Sequence, residues 1–447
     1  MQPTPTDSSS TKGRPERNRS TVFTQIFLCG ASAVLAAGGA WRAYVDNLQD
    51  AASLQRVCGI LACQPDQPAR LADRLADTGP AQGRTALELS RLALANDPAS
   101  PLRWCDLGDL YVALRPAADS RIAASYLDQA RLCFRRAEDL APANPVVLQR
   151  IANFHFQAGE PGEALTRTFR VLQRVREFDD IIFSGYLRFG VPQSMILAQG
   201  VPREPSPAQS YLRFVFARND AMAGRAAWEW AASFPSSPAS SVMTSALAVS
   251  YVGLLWRQHE FAAAAQAWAE YLGNQADGYP RSNHIFNGGF ESDPVRENPL
   301  DWRIDQADGF EVARDTEARQ QGQASMRITF QGTQNLDFRN FGQTQPVPPG
   351  AYRFRAMVAT QAITTDQGVQ LRIIDPEVPA RLSVSTPAIT GSNDWHAVEL
   401  RIEVRAPTRL VRVEVARQPS LKFDNKIGGT MWVDAVSLTP LASLVVN

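Results

Sequence analysis

The sequence has 447 residues, of which 45% are hydrophobic and 20% are charged. A chain of this length and composition can form two or three domains with apolar cores. Lys and Arg together number 45, as do Asp and Glu, so the formal net charge at pH 7 is zero. This balance provides no long-range attraction for nucleic acid, and we predict no nucleic-acid partner.

The N-terminal region changes abruptly from polar to apolar. Residues 1–19 are polar and mildly basic, which predicts a disordered tail. Residues 20–41 then contain no Lys, Arg, Asp or Glu, and about 20 apolar residues are enough to span a bilayer. We predict a transmembrane anchor or a signal peptide over residues 20–45 and a linker helix over residues 46–66. A soluble core helix is the alternative for the apolar segment. The preceding basic residues place the chain after it outside the cytoplasm.

The next region has the spacing of paired helices. Eight residues repeat at helical intervals, four in one helix and four in or just after the next. They are Trp104, Leu107, Gly108 and Tyr111, followed by Ala130, Phe134, Ala137 and Pro142. The first four lie at i, i+3, i+4 and i+7, which is one face of a helix. Gly108 leaves room for a partner helix to approach, and Pro142 marks the end of the second helix.

These residues resemble the signature of the tetratricopeptide repeat, a helix-turn-helix unit that stacks into a binding surface. The resemblance extends over residues 67–278, with about two well-defined units and several degenerate ones. It implies that this region binds a protein or peptide partner. An ordinary helical bundle is the alternative.

The cysteines leave the redox compartment open. Cys58, Cys63, Cys105 and Cys133 form an even set that is compatible with an oxidising compartment. On a continuous helix Cys58 and Cys63 are too far apart for a disulfide. Cys105 and Cys133 belong to the two helices of one repeat, and they either pair or remain buried free thiols. There is no C-x-x-C spacing and no His motif, so no metal site is predicted from them.

From about residue 283 the apolar period changes from 3.6 to 2. Six segments alternate apolar with polar residues and are separated by Pro, Gly, Asn and Asp, which is typical of strands. They are residues 325–330, 352–358, 369–374, 396–404, 410–415 and 430–438. The predicted fold class is therefore multidomain α + β: an N-terminal membrane helix, an α-helical repeat domain and a C-terminal antiparallel β-sandwich.

Motifs in this region resemble the galactose-binding-like jelly rolls, and in particular carbohydrate-binding modules. They are residues 287–291 (NGGFE), 325–330 (SMRITF), 349–352 (PGAY), 394–395 (DW) and 429–438 (GTMWVDAVSL). The resemblance covers residues 284–441. It implies a polysaccharide ligand and a structural calcium ion held by Glu291 and Asp434, whose hard carboxylate oxygens suit calcium. Alternatively, these two carboxylates cap the paired terminal strands.

Sugar binding requires exposed aromatic rings together with polar side chains. Trp302 and Trp395 lie near loops and are the aromatic candidates, although a core role is the alternative for both. Trp432 alternates with polar neighbours and is interpreted as a core residue. Arg353 and Arg355 are the polar candidates.

Six arginines share the outward phase of their strands and, if several fall on one sheet face, would suit an anionic polysaccharide. They are Arg327, Arg353, Arg355, Arg372, Arg401 and Arg412. A solvated face of mixed charge, with Glu399, Glu403 and Glu414 interspersed, is the alternative.

No catalytic motif is found, so we predict that the protein is not an enzyme. The combination of segments resembles bacterial envelope proteins associated with exopolysaccharide. It implies a single-pass protein of the bacterial cytoplasmic membrane, with most of the chain on the periplasmic or extracytoplasmic side. The expected function is an adaptor whose repeats bind a protein and whose jelly roll binds polysaccharide. The alternatives are a scaffold without glycan binding and an accessory subunit of a glycoside hydrolase.

Overall fold

The computed structural model describes residues 19–48, 50, 52–53, 56–57, 66–77, 82–115, 119–234 and 242–441. Cys58, Cys63, nearly all of the predicted tail and most of the predicted linker helix lie outside these residues. The chain divides into two compact units, one up to Arg174 and one from Val175 onward. The first unit is helical, and the second combines helices with strands.

Helix α1 spans Arg19–Asp46 and contains the segment predicted to cross a membrane. Within the described ranges, no helix combines the length and the apolar character that a membrane crossing needs. The described part of the chain therefore does not support the predicted transmembrane anchor over residues 20–45. Among residues 31–40, all except Val34 and Leu35 are Ala, Gly or Ser. These small side chains carry little apolar surface to transfer into lipid.

In the described ranges of the first unit, six further helices have defined bounds. They are α2 (Asp66–Asp77), α3 (Gly83–Asn96), α4 (Pro101–Leu114), α5 (Ser120–Leu140), α6 (Pro145–Gln157) and α7 (Pro161–Leu172). Three of them begin with proline, whose fixed φ and missing N–H suit the first helical position. Asp119 and Asn144 cap α5 and α6 through side-chain oxygens that accept backbone N–H groups.

The predicted pairing of the repeat helices is confirmed. All of the signature residues within α4 and α5 are buried except Trp104, which is half-buried and donates its indole N–H to the Pro98 carbonyl at 2.9 Å. Gly108 faces Phe134 so closely that a Cβ at Gly108 would lie 2.9 Å from the ring. The predicted helix end before Pro142 is also found, because α5 ends at Leu140.

Cys105 and Cys133 are both buried free thiols. Burial raises the pKa of each thiol to about 12, so both stay protonated at neutral pH and behave as small apolar side chains. Of the two alternatives for this pair, the free thiols are the one observed.

The second unit begins with helices. They are α8 (Asp179–Arg188), α9 (Gln193–Met195), α10 (Pro205–Phe216), α11 (Ala221–Ala232), α12 (Ser245–Arg257) and α13 (Phe261–Leu272). A π-helical turn at Ile196–Gly200 follows α9, and a 3-10 turn at Gly273–Ala276 follows α13. Aromatic side chains fill the contacts between these helices. Trp228 of α11 stacks on Tyr251 of α12 with ring centroids 4.5 Å apart.

The predicted β-sandwich is confirmed. Its strands are β1 (Arg303–Ile304), β2 (Phe310–Asp315), β3 (Ser325–Gln331), β4 (Phe338–Pro346), β5 (Gly350–Ile363), β6 (Gln370–Ile374), β7 (Ser383–Ser385), β8 (Gly391–Val404), β9 (Leu410–Arg417) and β10 (Gly428–Pro440). Sheet 1 has the order β1-β4-β9-β6-β7 and sheet 2 has the order β2-β3-β10-β5-β8. All pairings between these strands are antiparallel.

The core lies between the two sheets and is continuous with contacts to α13. Phe338, Phe341 and Phe354 are fully buried in it. On the helical side, Trp268 of α13 meets Phe286 edge-on at 5.6 Å. The Tyr279 hydroxyl donates a buried hydrogen bond to Gln345 Oε1 at 2.9 Å. The sandwich and the last helix therefore share a packed interface.

Candidate functional site

Trp302 lies in the core and not at the surface. Only 3% of it is exposed, its ring stacks on Phe341 with centroids 4.9 Å apart, and its indole N–H donates to the Asn287 carbonyl at 3.0 Å. A ring enclosed in this way has no free face for a sugar. The prediction that Trp302 binds carbohydrate is therefore wrong, because proximity to a loop does not indicate exposure when the core accepts the ring.

The other three candidates share the outer face of sheet 2. Along β5, Tyr352 and Phe354 are buried, so the alternating residues Arg353 and Arg355 point outward and are exposed. Trp395 of the neighbouring strand β8 is partly exposed. The three residues are thus brought to one surface by the pairing of β5 with β8.

Trp432 lies on the same face, although the sequence pattern indicated a core position. Its strand neighbours Met431 and Val433 are 0% and 1% exposed, and they occupy the inward phase instead. The register pairs Trp432 with Ala359 of β5 on one side and with Arg327 of β3 on the other. Because β10 has apolar residues on both of its faces, its sequence does not indicate that Trp432 points outward.

A small residue separates the two outward tryptophans. Ala359 is paired with Trp432, and Trp395 directly precedes His396, which is paired with Val358. The register shifts between the pairs Val358–His396 and Thr360–Asn393, so Asp394 and Trp395 both lie opposite Ala359 at a β-bulge. Trp395 precedes the inward His396 and therefore lies beside Ala359 on the outer side. Two strand spacings separate the tryptophans, which corresponds to about 10 Å. Ala359 itself is only 9% exposed. We call the site formed by the partly exposed Trp432 and Trp395 on either side of Ala359 the tryptophan slot.

Trp432 is held in place from the edge of the sheet. Its indole N–H donates to Asp315 Oδ2 at 2.9 Å, and Arg327 approaches the same oxygen at 3.5 Å. Burial alone would raise the pKa of Asp315, but the hydrogen bonds from Trp432 and from two backbone N–H groups, with the charge of Arg327, hold it below its ordinary value. The carboxylate is therefore ionised at neutral pH and fixes the indole orientation.

The arginines of this face differ in their partners. Arg355 forms an ion pair with Glu399 at 3.4 Å. Arg353 stands directly opposite Arg401 in the register of β5 and β8, and both are exposed. Among the described residues, no carboxylate forms an ion pair with either of these two arginines. We call Arg353 and Arg401 the arginine pair.

A polar cavity of about 1000 Å³ adjoins the face. Arg355, Met357 and Ser437 line it from sheet 2. Glu291 and residues 320–322, which belong to the loop of residues 320–323, also line it. A cavity with these donors and acceptors is suited to a hydroxyl-rich ligand.

The carboxylates predicted to hold calcium both contact this loop. Asp434 Oδ2 accepts the backbone N–H groups of Gln320 and Gln321 at 2.9 and 2.8 Å. Glu291 accepts the backbone N–H of Gln323 at 2.9 and 3.1 Å through its two oxygens. Burial raises the pKa of Asp434, and the nearby charge of Glu291 adds to this. The loop is thus anchored by two carboxylates.

The residues fit a calcium ion in one respect. Asp434 is fully buried, and no described Lys or Arg forms an ion pair with it or with Glu291. Two neighbouring carboxylates without a basic partner suit a hard cation. The described residues contain no group of three or more His, Cys, Asp or Glu side chains that could hold a metal, so backbone carbonyls or water would have to complete the coordination.

A second cavity, of about 760 Å³, has the opposite character. It lies between α13 and the loops of the sandwich, and its walls include Phe261, Pro348 and Pro407. His284 lines it, and burial lowers the pKa of this imidazole. The apolar walls do not suit a hydroxyl-rich ligand.

Comparisons with known proteins give fold likenesses only. No family model matches the chain, and no curated protein matches it. A carbohydrate-binding module of family 61 in complex with β-1,4-galactotriose is 20% identical, with 36% of this chain and 99% of the module covered at a TM-score of 0.25. A protein of Bacteroides thetaiotaomicron that is described as sugar-binding is 16% identical. The match covers 36% of this chain and 100% of that protein at a TM-score of 0.26. A tetratricopeptide repeat protein of Thermus thermophilus is 18% identical, with 50% and 95% covered at 0.26. At these scores the likenesses do not assign a function.

Proposed function

We propose that the protein is a non-catalytic glycan-binding adaptor whose jelly roll holds sugar rings in the tryptophan slot. The observation that carries this proposal is the placement of Trp432 and Trp395 on one outer sheet face, with the small Ala359 between them. Aromatic rings at a protein surface offer apolar faces to the CH groups of a sugar. The neighbouring arginines and the polar cavity supply partners for the hydroxyl groups.

The slot is organised before any ligand arrives. The hydrogen bond from Trp432 to Asp315 fixes one ring, and a fixed ring loses little conformational entropy on binding. Asp315 and Glu311 are the two carboxylates of β2, and both lie within 4 Å of Arg327. The engagement of these carboxylates by Arg327 and Trp432 supports a binding role for the face and not a catalytic one.

The helical repeats complete the proposed adaptor by binding a protein or peptide. Apolar side chains are exposed on α5, where Ile122 and Leu132 are 44% and 53% exposed. These two side chains are candidates for the contact, while the expectation of a protein partner comes from the resemblance to the tetratricopeptide repeat. The proposed setting, the envelope of a bacterium and the assembly or export of exopolysaccharide, rests on the sequence resemblance alone.

The proposal is tested with the full-length protein on an array of acidic and neutral polysaccharides. We expect saturable binding to at least one of them, and we expect Trp432→Ala and Trp395→Ala each to weaken it by at least tenfold. Trp256→Ala is the control, because Trp256 is half-buried on α12 and contacts Phe261. A folded protein that binds no polysaccharide would instead support the scaffold alternative.

A further inference from the structure

We propose that the glycan carries carboxylates and that the arginine pair binds them; this inference rests on the proposed glycan-binding function. The arginine pair belongs to the same outer face as the tryptophan slot. Arg353 and Arg355 are successive outward residues of β5, and Ala359 lies further along the same strand. A chain of sugar rings lying along β5 would contact the tryptophan slot and the arginine pair together.

Two like charges directly oppose each other on this face. Arg353 and Arg401 are Cα partners in the antiparallel register. Like charges in such directly opposed positions are destabilising. An arrangement of this kind is relieved when an anion lies between the two guanidinium groups, each of which can bind a carboxylate through two N–H donors.

The neighbouring carboxylates form ion pairs with other arginines. Glu399 contacts Arg355 at 3.4 Å, and Glu403 contacts Arg405 at 2.7 Å. These are the glutamates on either side of Arg401 along the outward phase of β8. Neither forms an ion pair with Arg353 or Arg401, so the charge of the arginine pair is open to an external anion.

The arginines of sheet 1, in the same domain, have an internal partner. On the outer face of sheet 1, Arg372 and Arg412 flank Glu414, whose side chain is only 3% exposed. Arg372 Nε donates to Glu414 Oε1 at 2.8 Å, and Arg412 Nε donates to Glu414 Oε2 at 2.7 Å. On sheet 1 an internal carboxylate therefore joins two arginines, whereas on sheet 2 the equivalent partner of the arginine pair is not supplied by the described chain.

Protection of an edge strand does not explain the pair. Charged side chains on an edge strand such as β8 discourage pairing with another chain, and this accounts for Arg401. It does not account for Arg353, because β5 is an interior strand of sheet 2, between β10 and β8.

The test compares acidic polysaccharides with their uncharged counterparts. Polygalacturonate, alginate and hyaluronan are each titrated into the full-length protein, beside the same polymer after chemical reduction of its carboxylates to alcohols. We expect at least one acidic form to bind and its reduced form to bind at least tenfold more weakly. Arg353→Gln and Arg401→Gln are each expected to weaken binding of the acidic form by about tenfold.

Matched variants separate a specific contact from a general charge effect. Arg401→Lys keeps the charge but removes the bidentate geometry, so we expect an intermediate loss. Arg303→Gln removes one exposed arginine from sheet 1 and is expected to leave binding unchanged. Equal binding of the acidic and reduced forms, or unchanged binding in both glutamine variants, would overturn the inference while leaving glycan binding intact. Binding of no polymer in either form would overturn the proposed function as well.

Discussion

The indole N–H of Trp432 on β10 donates a hydrogen bond to Asp315 at the end of β2, across the intervening strand β3. The two residues are separated by 117 positions in the chain. A partly exposed tryptophan that is fixed by a carboxylate is a ready platform for a ligand, because the ring does not have to be ordered on binding. The proposed glycan-binding site depends on this hydrogen bond.

The role of Asp315 leads to the first prediction. Asp315→Ala removes the acceptor of the Trp432 indole while leaving the ring on the face. We expect a loss of glycan affinity of about 1 kcal/mol, smaller than the loss from Trp432→Ala, because the ring must then be ordered at the cost of side-chain entropy. Calorimetric titration measures the difference. Glu311→Ala is the control, since Glu311 lies on the same strand and forms an ion pair with Arg327 at 3.9 Å. An equal loss in that variant would show that Asp315 has no special role.

The second prediction concerns the packing of the repeat helices. A Cβ at Gly108 would lie 2.9 Å from the Phe134 ring, whereas a Cβ at Gly162 would meet nothing within 4 Å. We expect Gly108→Ala to lower the free energy of unfolding by about 1–3 kcal/mol. Gly162→Ala is expected to leave it unchanged or raise it by up to about 1 kcal/mol, because alanine favours the helix. Urea unfolding followed by far-UV circular dichroism compares them. Similar effects in both variants would refute the close approach of α4 and α5.

The third prediction concerns calcium. If Glu291 and Asp434 hold an ion, saturating calcium raises the unfolding free energy, by about 2.7 kcal/mol when its concentration is 100 times the dissociation constant. We expect calcium to raise the melting temperature of the wild type and a chelator to lower it. In Asp434→Asn both effects should disappear. A wild-type melting temperature that is insensitive to calcium would show that the backbone N–H groups alone hold the loop of residues 320–323.

The fourth prediction is a pH dependence of stability. Burial raises the pKa of the Asp301 carboxyl from 3.8 to about 6, although hydrogen bonds from the backbone N–H groups of Val295 and Trp302 oppose the shift. Between these two pH values the folded state binds more protons than the unfolded state, so stability falls as the pH rises. At about 1.4 kcal/mol per pKa unit, the loss amounts to about 3 kcal/mol and is complete above pH 6.

Asp301→Asn provides the check on this pH dependence, because the amide does not titrate. The fall in unfolding free energy between about pH 4 and pH 6 should be smaller in this variant than in the wild type. An identical slope in both proteins would show that the titration of Asp301 is not responsible.

The fold was largely predictable because its local signals are strong. Helical spacing around Gly108 and alternation in β5 reflect single buried faces, which a period of 3.6 or 2 reveals. Strands β1 and β7 have only two and three residues, too few for a period to register. Strand β4 was not predicted because polar Gln343 and Gln345 point inward, where they bond to Phe286, Tyr279 and Leu300.

The candidate site was predictable only in part, because cross-strand register is not a local property of the sequence. Arg353 and Arg355 were identified from their phase, but nothing in the sequence near them indicated that Arg353 would oppose Arg401. The sequence placed Trp302 near a loop without showing that Phe341 would cover it. The alternation in β10 also assigned Trp432 to the core, whereas its neighbours Met431 and Val433 are the residues that point inward.

Glycan binding at the tryptophan slot is tested by the tryptophan fluorescence of the full-length protein, followed during titration with the polysaccharides of the array. We expect a saturable change in emission with at least one polymer, because a sugar stacked on the rings alters the surroundings of Trp432 and Trp395. This change should be lost in the double variant Trp432→Ala/Trp395→Ala and kept in Trp256→Ala. A change that persists in the double variant, or no saturable change with any polymer, would show that the tryptophan slot does not bind glycan.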